Sequence, residues 1–331
     1  MHFLIIGVGS IGERHLRNLL RIDGVSCSIA EINATMREKI ASEYSVQQTY
    51  ADYRDADLST FDGVVICVPA NLHIPIAIDV VKAGTHVLTE KPLAMSFNGI
   101  DELKRLRDKK GVVVSVAFTL RSDPLMGELK QLIDTSPLGK IRLVNFYAGH
   151  HWPTGRKDFP PAYAQNRNTG GGAIPDHLVH VINFMEWSFG SLDQVSARHW
   201  RLGLEDVATE DTAFVTMQFA SGVIVQLGLC VFQLDNYQRL HVIADGGTCQ
   251  LRGDCDTLEI FDGDQGNWRS GEAQRIDRDD VFVLQAKHFI ECINGSATPR
   301  CTVEQGEQTL RTVLAAIESG DGNGQFIKVS E

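Results

Sequence analysis

Four stretches of this chain hold residues whose types and spacing suit chemistry: Gly7-Val8-Gly9-Ser10-Ile11-Gly12, the acid Glu31, the pair Glu90-Lys91, and Asp176 with His180 behind Gly170-Gly171-Gly172. The glycine run breaks the apolar stretch Phe3-Leu4-Ile5-Ile6 and leads into an amphipathic pattern. Ile11, His15, Leu16, Leu19 and Leu20 fall on one side, and Glu13, Arg14, Arg17, Asn18 and Arg21 on the other. A strand, a turn and a helix in that order can seat a dinucleotide. The first glycine allows the bend, the second lets the backbone approach a pyrophosphate, and the third lets helix pack on strand. The free N–H groups of the helix start, at Ser10 and Ile11, face the anion. The plain alternative is an ordinary strand-to-helix loop.

The next apolar stretch, Val25 to Ala30, ends in Glu31, near the roughly 20-residue spacing at which an acid meets the adenosine ribose. There Glu31 accepts from both hydroxyls and repels a 2′-phosphate, which predicts NAD over NADP; otherwise it is a surface glutamate. Lys91 follows the strand His86-Val87-Leu88-Thr89, so it sits at the carboxyl edge of the sheet, where ligands bind in such folds. A lysine there donates to a substrate oxygen or joins proton transfer if desolvated, or else is a solvated loop residue. Asp176, His180 and Asn183 share a stripe of an otherwise apolar helix containing Val181, Ile182, Phe184, Met185 and Trp187. Buried polar groups need partners, so the stripe predicts a polar cavity, or simply a hydrogen-bonded pair locking the helix. His177 points elsewhere on this periodicity. Asp176, His177 and His180 also admit reading as metal ligands, without a further anchoring pattern.

The elements that must position these groups alternate. Helical and extended segments follow one another through a helix at 34–42, a short strand around Val46, the strand Val64–Val68 closed by Pro69, and a helix at 72–82. The strand 86–89, a helix carrying Phe97, Ile100, Leu103 and Leu106, and the strand 112–116 complete the series. That order predicts a parallel sheet covered on both faces, an NAD-binding Rossmann domain over residues 1–120. From Ile141 the pattern has period two, as in Ala213, Val215, Met217 and Phe219, then Ser221-Gly222, then Val223, Val225, Leu227 and Leu229. Gly246-Gly247 marks another turn. Residues 121–331 therefore read as an α+β domain with a large, mostly antiparallel sheet and helices on one side, for substrate binding and oligomerisation. An uncovered sheet face predicts a homodimer or homotetramer.

The chain has 331 residues, 43% hydrophobic and 22% charged, an ordinary globular composition with ample core. A formal net charge of -11 argues against nonspecific nucleic-acid or membrane binding. The N-terminus enters a strand at once and no apolar run approaches a membrane span, so a cytoplasmic protein is expected. Seven cysteines are scattered without Cys-x-x-Cys, which speaks against a disulfide framework or a cysteine zinc site.

Taken together, Gly7 to Gly12, Val68-Pro69-Ala70-Asn71-Leu72-His73, Glu90-Lys91-Pro92, and Gly170-Gly171-Gly172 with Asp176 and His180 resemble the glucose-fructose oxidoreductase and inositol dehydrogenase (Gfo/Idh/MocA) family, in the same order along the whole chain. The resemblance implies NAD(P)-dependent oxidation of sugars or cyclitols, with Lys91, Asp176 and His180 acting together. It also implies that Pro69, Asn71, His73 and Glu90 lie near the nicotinamide half of the cofactor, and that the Lys91-Pro92 bond is cis. On it, His180 takes the proton of a secondary hydroxyl, Lys91 stabilises charge on the oxygen, and Asp176 orients the imidazole; Lys91 and His180 can exchange roles. Lysine and imidazole are then expected to converge beside the pyridine ring.

A locally basic, aromatic segment, with Arg121, His150, His151, Trp152, Arg156, Lys157, Tyr163 and Arg167, hints at a substrate bearing a carboxylate or phosphate. Arg121, Trp152, Tyr163, Arg167 and His177 are the candidate substrate contacts. The substrate class is a sugar, sugar acid, cyclitol or nucleotide sugar. Two other functions remain open: a glycosidase that retains NAD, and a non-catalytic NAD-responsive regulator.

Overall fold

In a computed structural model, residues 1–155, 161–253, 256–271 and 276–329 are described. They form two compact units, 1–122 with 276–307, and 123–275 with 308–331. No helix among the described residues is long and apolar enough to cross a membrane.

The first unit alternates as its hydrophobic pattern dictates. Its elements run β1 (His2–Ile6), α1 (Ser10–Leu19), β2 (Ser26–Ala30), α2 (Ala34–Glu43), β3 (Thr49–Tyr50), β4 (Gly63–Ile66), α3 (His73–Ala83), β5 (His86–Thr89), α4 (Ile100–Lys110) and β6 (Val114–Val116). The six strands pair in parallel in the order β3-β2-β1-β4-β5-β6. Both faces of such a sheet are covered, which is why β1 and β4 are runs of buried apolar residues rather than alternating ones. The short strand expected around Val46 lies instead at Thr49–Tyr50, where Glu31 N donates to Tyr50 O.

The helix Arg278–Ile293 also belongs to this unit, although the sequence expectation assigns everything after residue 120 to the second domain. Ala286 and Phe289 enter the same apolar cluster as Phe3, Ile5, Leu16 and Leu19. Arg17 on α1 then bridges Glu13 and Asp279, with 2.8 Å from its Nη2 to Asp279 Oδ1.

In the second unit, α5 (Pro124–Thr135) is capped by Asp123, whose carboxylate accepts from Leu125 N and Met126 N. After it come β7 (Ile141–His151), α6 (Val179–Phe189), β8 (Leu192–Trp200), β9 (Thr212–Phe219), β10 (Ile224–Cys230), β11 (Phe232–Ala244), β12 (Gly247–Arg252), β13 (Thr257–Asp262), β14 (Asn267–Ser270) and β15 (Ile327–Lys328). The nine strands run β14-β13-β12-β11-β7-β10-β9-β8-β15, antiparallel except for β7 against β10.

Register separates the two faces of this sheet. One transverse row, Val195, Met217, Val225, Val144, Val242 and Cys249, is fully buried. The neighbouring row on the opposite face is polar: Ser196, Thr216, Gln226, Asn145, His241, Gln250, Glu259 and Ser270, with His241 Nε2 3.0 Å from Gln250 Oε1. Its flanking rows carry Phe214 and Trp268, about half exposed.

Candidate active site

In the first unit the three glycines have the three separate roles the motif requires. Gly7 has φ +82°, and a Cβ there would stand 2.8 Å from Cys67 O. At Gly12 a Cβ would lie 1.9 Å from Gly7 O, so helix and strand approach only because no side chain is present. A Cβ on Gly9 would meet nothing within 4 Å, so the backbone there is open to close approach. No side chain caps α1 at Gly9, which leaves the amides at Ser10 and Ile11 for an anion. Glu31 closes the turn: its Oε2 accepts from Val8 N and its Oε1 from Asn33 N, both at 2.9 Å. Beside it Ile32 is 87% exposed, an apolar surface available to a base that sequence reasoning passed over.

At the carboxyl edge of β5 the Lys91-Pro92 bond is cis. The preceding Glu90 is buried, and its carboxylate is held from below. Oε1 lies 2.8 Å from His15 Nε2 and Oε2 accepts from Lys91 N at 3.1 Å. Burial works to raise the Glu90 pKa, but the hydrogen bond from His15 and the charges nearby outweigh it and hold the group below its ordinary value. Glu90 thus reaches His15 rather than presenting its carboxylate to solvent. His15 is a residue whose position on the apolar stripe of α1 was the only signal of this use.

His73, expected near the cofactor, is buried. It opens α3, and its Nδ1 and Nε2 face Pro92 O at 2.9 Å and Val68 O at 2.8 Å, so it ties the loop after β4 to the loop after β5. Asn71 and Leu72 stand exposed just before it. Arg121, expected at the substrate, is also buried; its Nη1 donates to Arg300 O and to Gln305 Oε1 within the first unit. A guanidinium that donates to a backbone carbonyl and to a side-chain amide oxygen in this way staples a chain segment.

In the second unit the segment after Gly172 is not a regular α-helix. Ala173–Leu178 is a π-helical turn that passes into α6. Its wider winding breaks the i, i+4 spacing on which the polar stripe was predicted. Asp176 Oδ2 accepts from the Tyr163 hydroxyl at 2.9 Å and lies 3.5 Å from His177 Nε2, so His177 stands beside Asp176 rather than pointing elsewhere. The His177 ring meets the Trp152 ring edge-on at 5.1 Å and the His150 ring at 5.2 Å. Burial pushes the His150 imidazole below its ordinary value, against the pull of Asp176. His180 follows on the first turn of α6. Asn183 is buried and donates to Thr309 Oγ1 at 2.9 Å, which anchors the helix.

Of the expected substrate contacts, Trp152, Tyr163 and His177 therefore gather around Asp176. Arg167 is instead paired with Glu210 at 3.0 Å and with Asp321 at 3.1 Å. Arg156 and Lys157 lie outside the described residues. Among the described residues no group of three or more His, Cys, Asp and Glu side chains could hold a metal ion.

A glycine turn of this geometry heading a parallel six-stranded sheet, followed by a separate nine-stranded sheet unit, defines a dinucleotide-binding oxidoreductase. Residues 1–118 match the family described as "Oxidoreductase family, NAD-binding Rossmann fold", and residues 126–250 match the "GFO/IDH/MocA C-terminal domain". The chain belongs to the GFO/IDH/MocA oxidoreductase family.

Among its relatives are an uncharacterized oxidoreductase of Bacillus subtilis, 26% identical over 326 residues, covering 95% of this chain and 93% of that one. A myo-inositol 2-dehydrogenase of Thermotoga maritima is 25% identical over 334 residues, with 96% of each chain covered. A solved levoglucosan dehydrogenase in complex with NADH has the same fold, with TM-score 0.88 at 20% identity, covering 100% of this chain and 99% of that one.

Proposed function

We propose that this oxidoreductase uses NAD to oxidise a secondary hydroxyl of a cyclic polyol, sugar or sugar acid. The observation that carries the proposal is the Tyr163–Asp176–His177 group beside His180: a carboxylate with a hydroxyl donor and an imidazole, walled by Trp152, in a family whose named members include inositol dehydrogenases. Bound NAD supplies the hydride acceptor. His180 takes the hydroxyl proton, and Lys91 holds the oxygen as charge builds on it. Asp176 orients the imidazole. Trp152 is buried and backs the His177 ring, and the hydroxyl and imidazole donors beside it match substrate hydroxyls.

Preference for NAD over NADP rests on Glu31. Its carboxylate already lies at the turn, where a 2′-phosphate would meet a like charge. Arg37, whose Nη1 donates to Glu31 O at 2.6 Å, is the nearby cation that would favour phosphate. The ratio of kcat/KM for NAD and NADP tests the assignment, and a clear NADP preference removes Glu31 from the role. NADH formation over a panel of cyclitols, aldoses and sugar acids tests the reaction itself. Absence of any turnover in a folded, NADH-binding protein would point instead to a regulator.

We also read the second face of the nine-stranded sheet as the surface that a second copy covers. Phe214 and Trp268 are about half exposed there, in the rows that flank the polar one, and an open sheet face of this kind commonly packs on a second copy. Mass measurement at micromolar concentration giving only monomer would contradict this.

A further inference from the structure

The turn that carries Asp176 is gripped from behind by a buried acid. Gly172 has φ +123°, and a Cβ there would stand 2.4 Å from Glu210 Oε1, so the carboxylate fills the place a side chain would take. Glu210 O accepts from Ala173 N at 3.0 Å, and its Oε1 lies 3.4 Å from Ile174 N. Its side chain is 1% exposed. A carboxylate so placed needs a cation, and Arg167 Nε supplies one, donating to Oε2 at 3.0 Å. Burial opposes the charge on Arg167, yet Glu210 and Asp321 raise its pKa above the ordinary value. Arg167 Nη2 lies 3.4 Å from both ring nitrogens of His199, which sets the guanidinium over the ring rather than in its plane.

The same grip reaches Tyr163. Thr209, next to Glu210, donates its hydroxyl to Ala164 O at 2.8 Å, and a Cβ on Gly171 would lie 2.6 Å from Tyr163 O. Residues 209 and 210 therefore hold both arms of the Tyr163–Asp176 contact. A π-helical turn is less favourable than an α-turn and persists where its surroundings impose it. A groove of about 570 Å³ opens beside this cluster, lined by Arg167, His199, Arg201 and Glu210 among others. The charge of Arg167 is already met by Glu210, which lines the groove, and by Asp321.

We propose that Glu210, with Arg167 as its counter-ion, is a positioning residue for the oxidoreductase site. By fixing the start of the π-turn it sets the distance from the Tyr163 hydroxyl to Asp176. This rests on the reading of Asp176 as part of the reaction, and it removes Arg167 from substrate recognition.

The test uses the full chain with NADH bound and the variants Glu210→Gln, Glu210→Ala and Gly172→Ala. Crystal structures read the Tyr163–Asp176 separation, 2.9 Å in the parent protein. Turnover of the best substrate in a cyclitol and sugar panel is compared with NADH affinity and melting temperature. Glu210→Ala, and Gly172→Ala with both charges retained, are expected to open the contact beyond about 3.5 Å. They are also expected to lower kcat by about 10²-fold, with NADH affinity within about twofold. Glu210→Gln, whose amide oxygen still accepts from Ile174 N, is expected to restore the contact and most of kcat. If Glu210→Ala does not fold, Gly172→Ala carries the comparison. Alanine variants that keep the 2.9 Å contact and parental kcat overturn the proposal. A parent enzyme that turns over nothing counts against the dehydrogenase reading, while the crystallographic distance still decides the clamp.

Discussion

Glu90 Oε1 lies 2.8 Å from His15 Nε2, both side chains almost wholly buried, and Glu90 Oε2 accepts from the amide of Lys91. A contact across 75 residues thus sets the backbone from which the proposed catalytic lysine extends. His15→Ala would leave a buried carboxylate without its donor and is expected to lower unfolding free energy by about 3–5 kcal/mol. His15→Gln, which keeps an N–H donor, should recover part of that. Urea denaturation of the three proteins reads the difference, and equal midpoints would show that the pair contributes nothing.

The glycine turn predicts a separation of effects. Gly9→Val places a side chain in open space on the ligand side, so it should leave the melting temperature near that of the parent and weaken NADH binding by about tenfold or more, roughly 1.4 kcal/mol. Gly12→Ala drives a methyl into Gly7 O and should cost stability first. NADH titration and thermal melting of the two variants check this, and the opposite pattern would reverse the roles of the two glycines.

Acid should destabilise the fold from near neutrality downward. Burial holds the imidazoles of His73 and His150 below their ordinary value of 6.5. As pH falls past that value the unfolded chain takes up protons that the folded chain refuses, so the stability present above 6.5 is lost progressively toward the lower folded values. Glu90, held below its ordinary 4.5, extends the loss to more acid pH. Melting temperatures taken in steps from pH 8 to pH 5 should decline below about 6.5; a flat or rising profile there contradicts the assignment.

Glu31→Gln should narrow the preference for NAD, since it removes the charge that repels a 2′-phosphate but keeps an acceptor for Val8 N. The ratio of kcat/KM values for NAD and NADP is expected to fall by about tenfold. No change in that ratio would leave Glu31 as a turn-closing residue only.

What was legible in the sequence is what local physics determines. Gly7, Gly9 and Gly12 announce their turn because strand, glycine spacing and helix are contiguous, and the alternation around Ser221-Gly222 announces its hairpin for the same reason. The π-turn was not legible, because the group that shapes it, Glu210, is supplied 36 residues away from Ile174. Periodicity also cannot say which sheet a helix covers. Arg278–Ile293 joins the first unit through Phe289 and Asp279, contacts invisible in its own pattern. His73 and Arg121 stand out by type and motif, and their partners, two backbone carbonyls for His73 and Arg300 O with Gln305 Oε1 for Arg121, were not legible. A polar residue in a family motif marks a place in the fold as readily as a contact to ligand.

In the proposed reaction the Lys91 ammonium group and the His180 imidazole both serve the alcohol being oxidised. NADH formation in Lys91→Ala and His180→Ala, each set beside the parent enzyme at saturating NAD on its best polyol substrate, decides this. In each variant kcat is expected to fall by about 10²–10⁴-fold while NADH affinity stays near that of the parent; near-parental kcat in both would exclude the shared role.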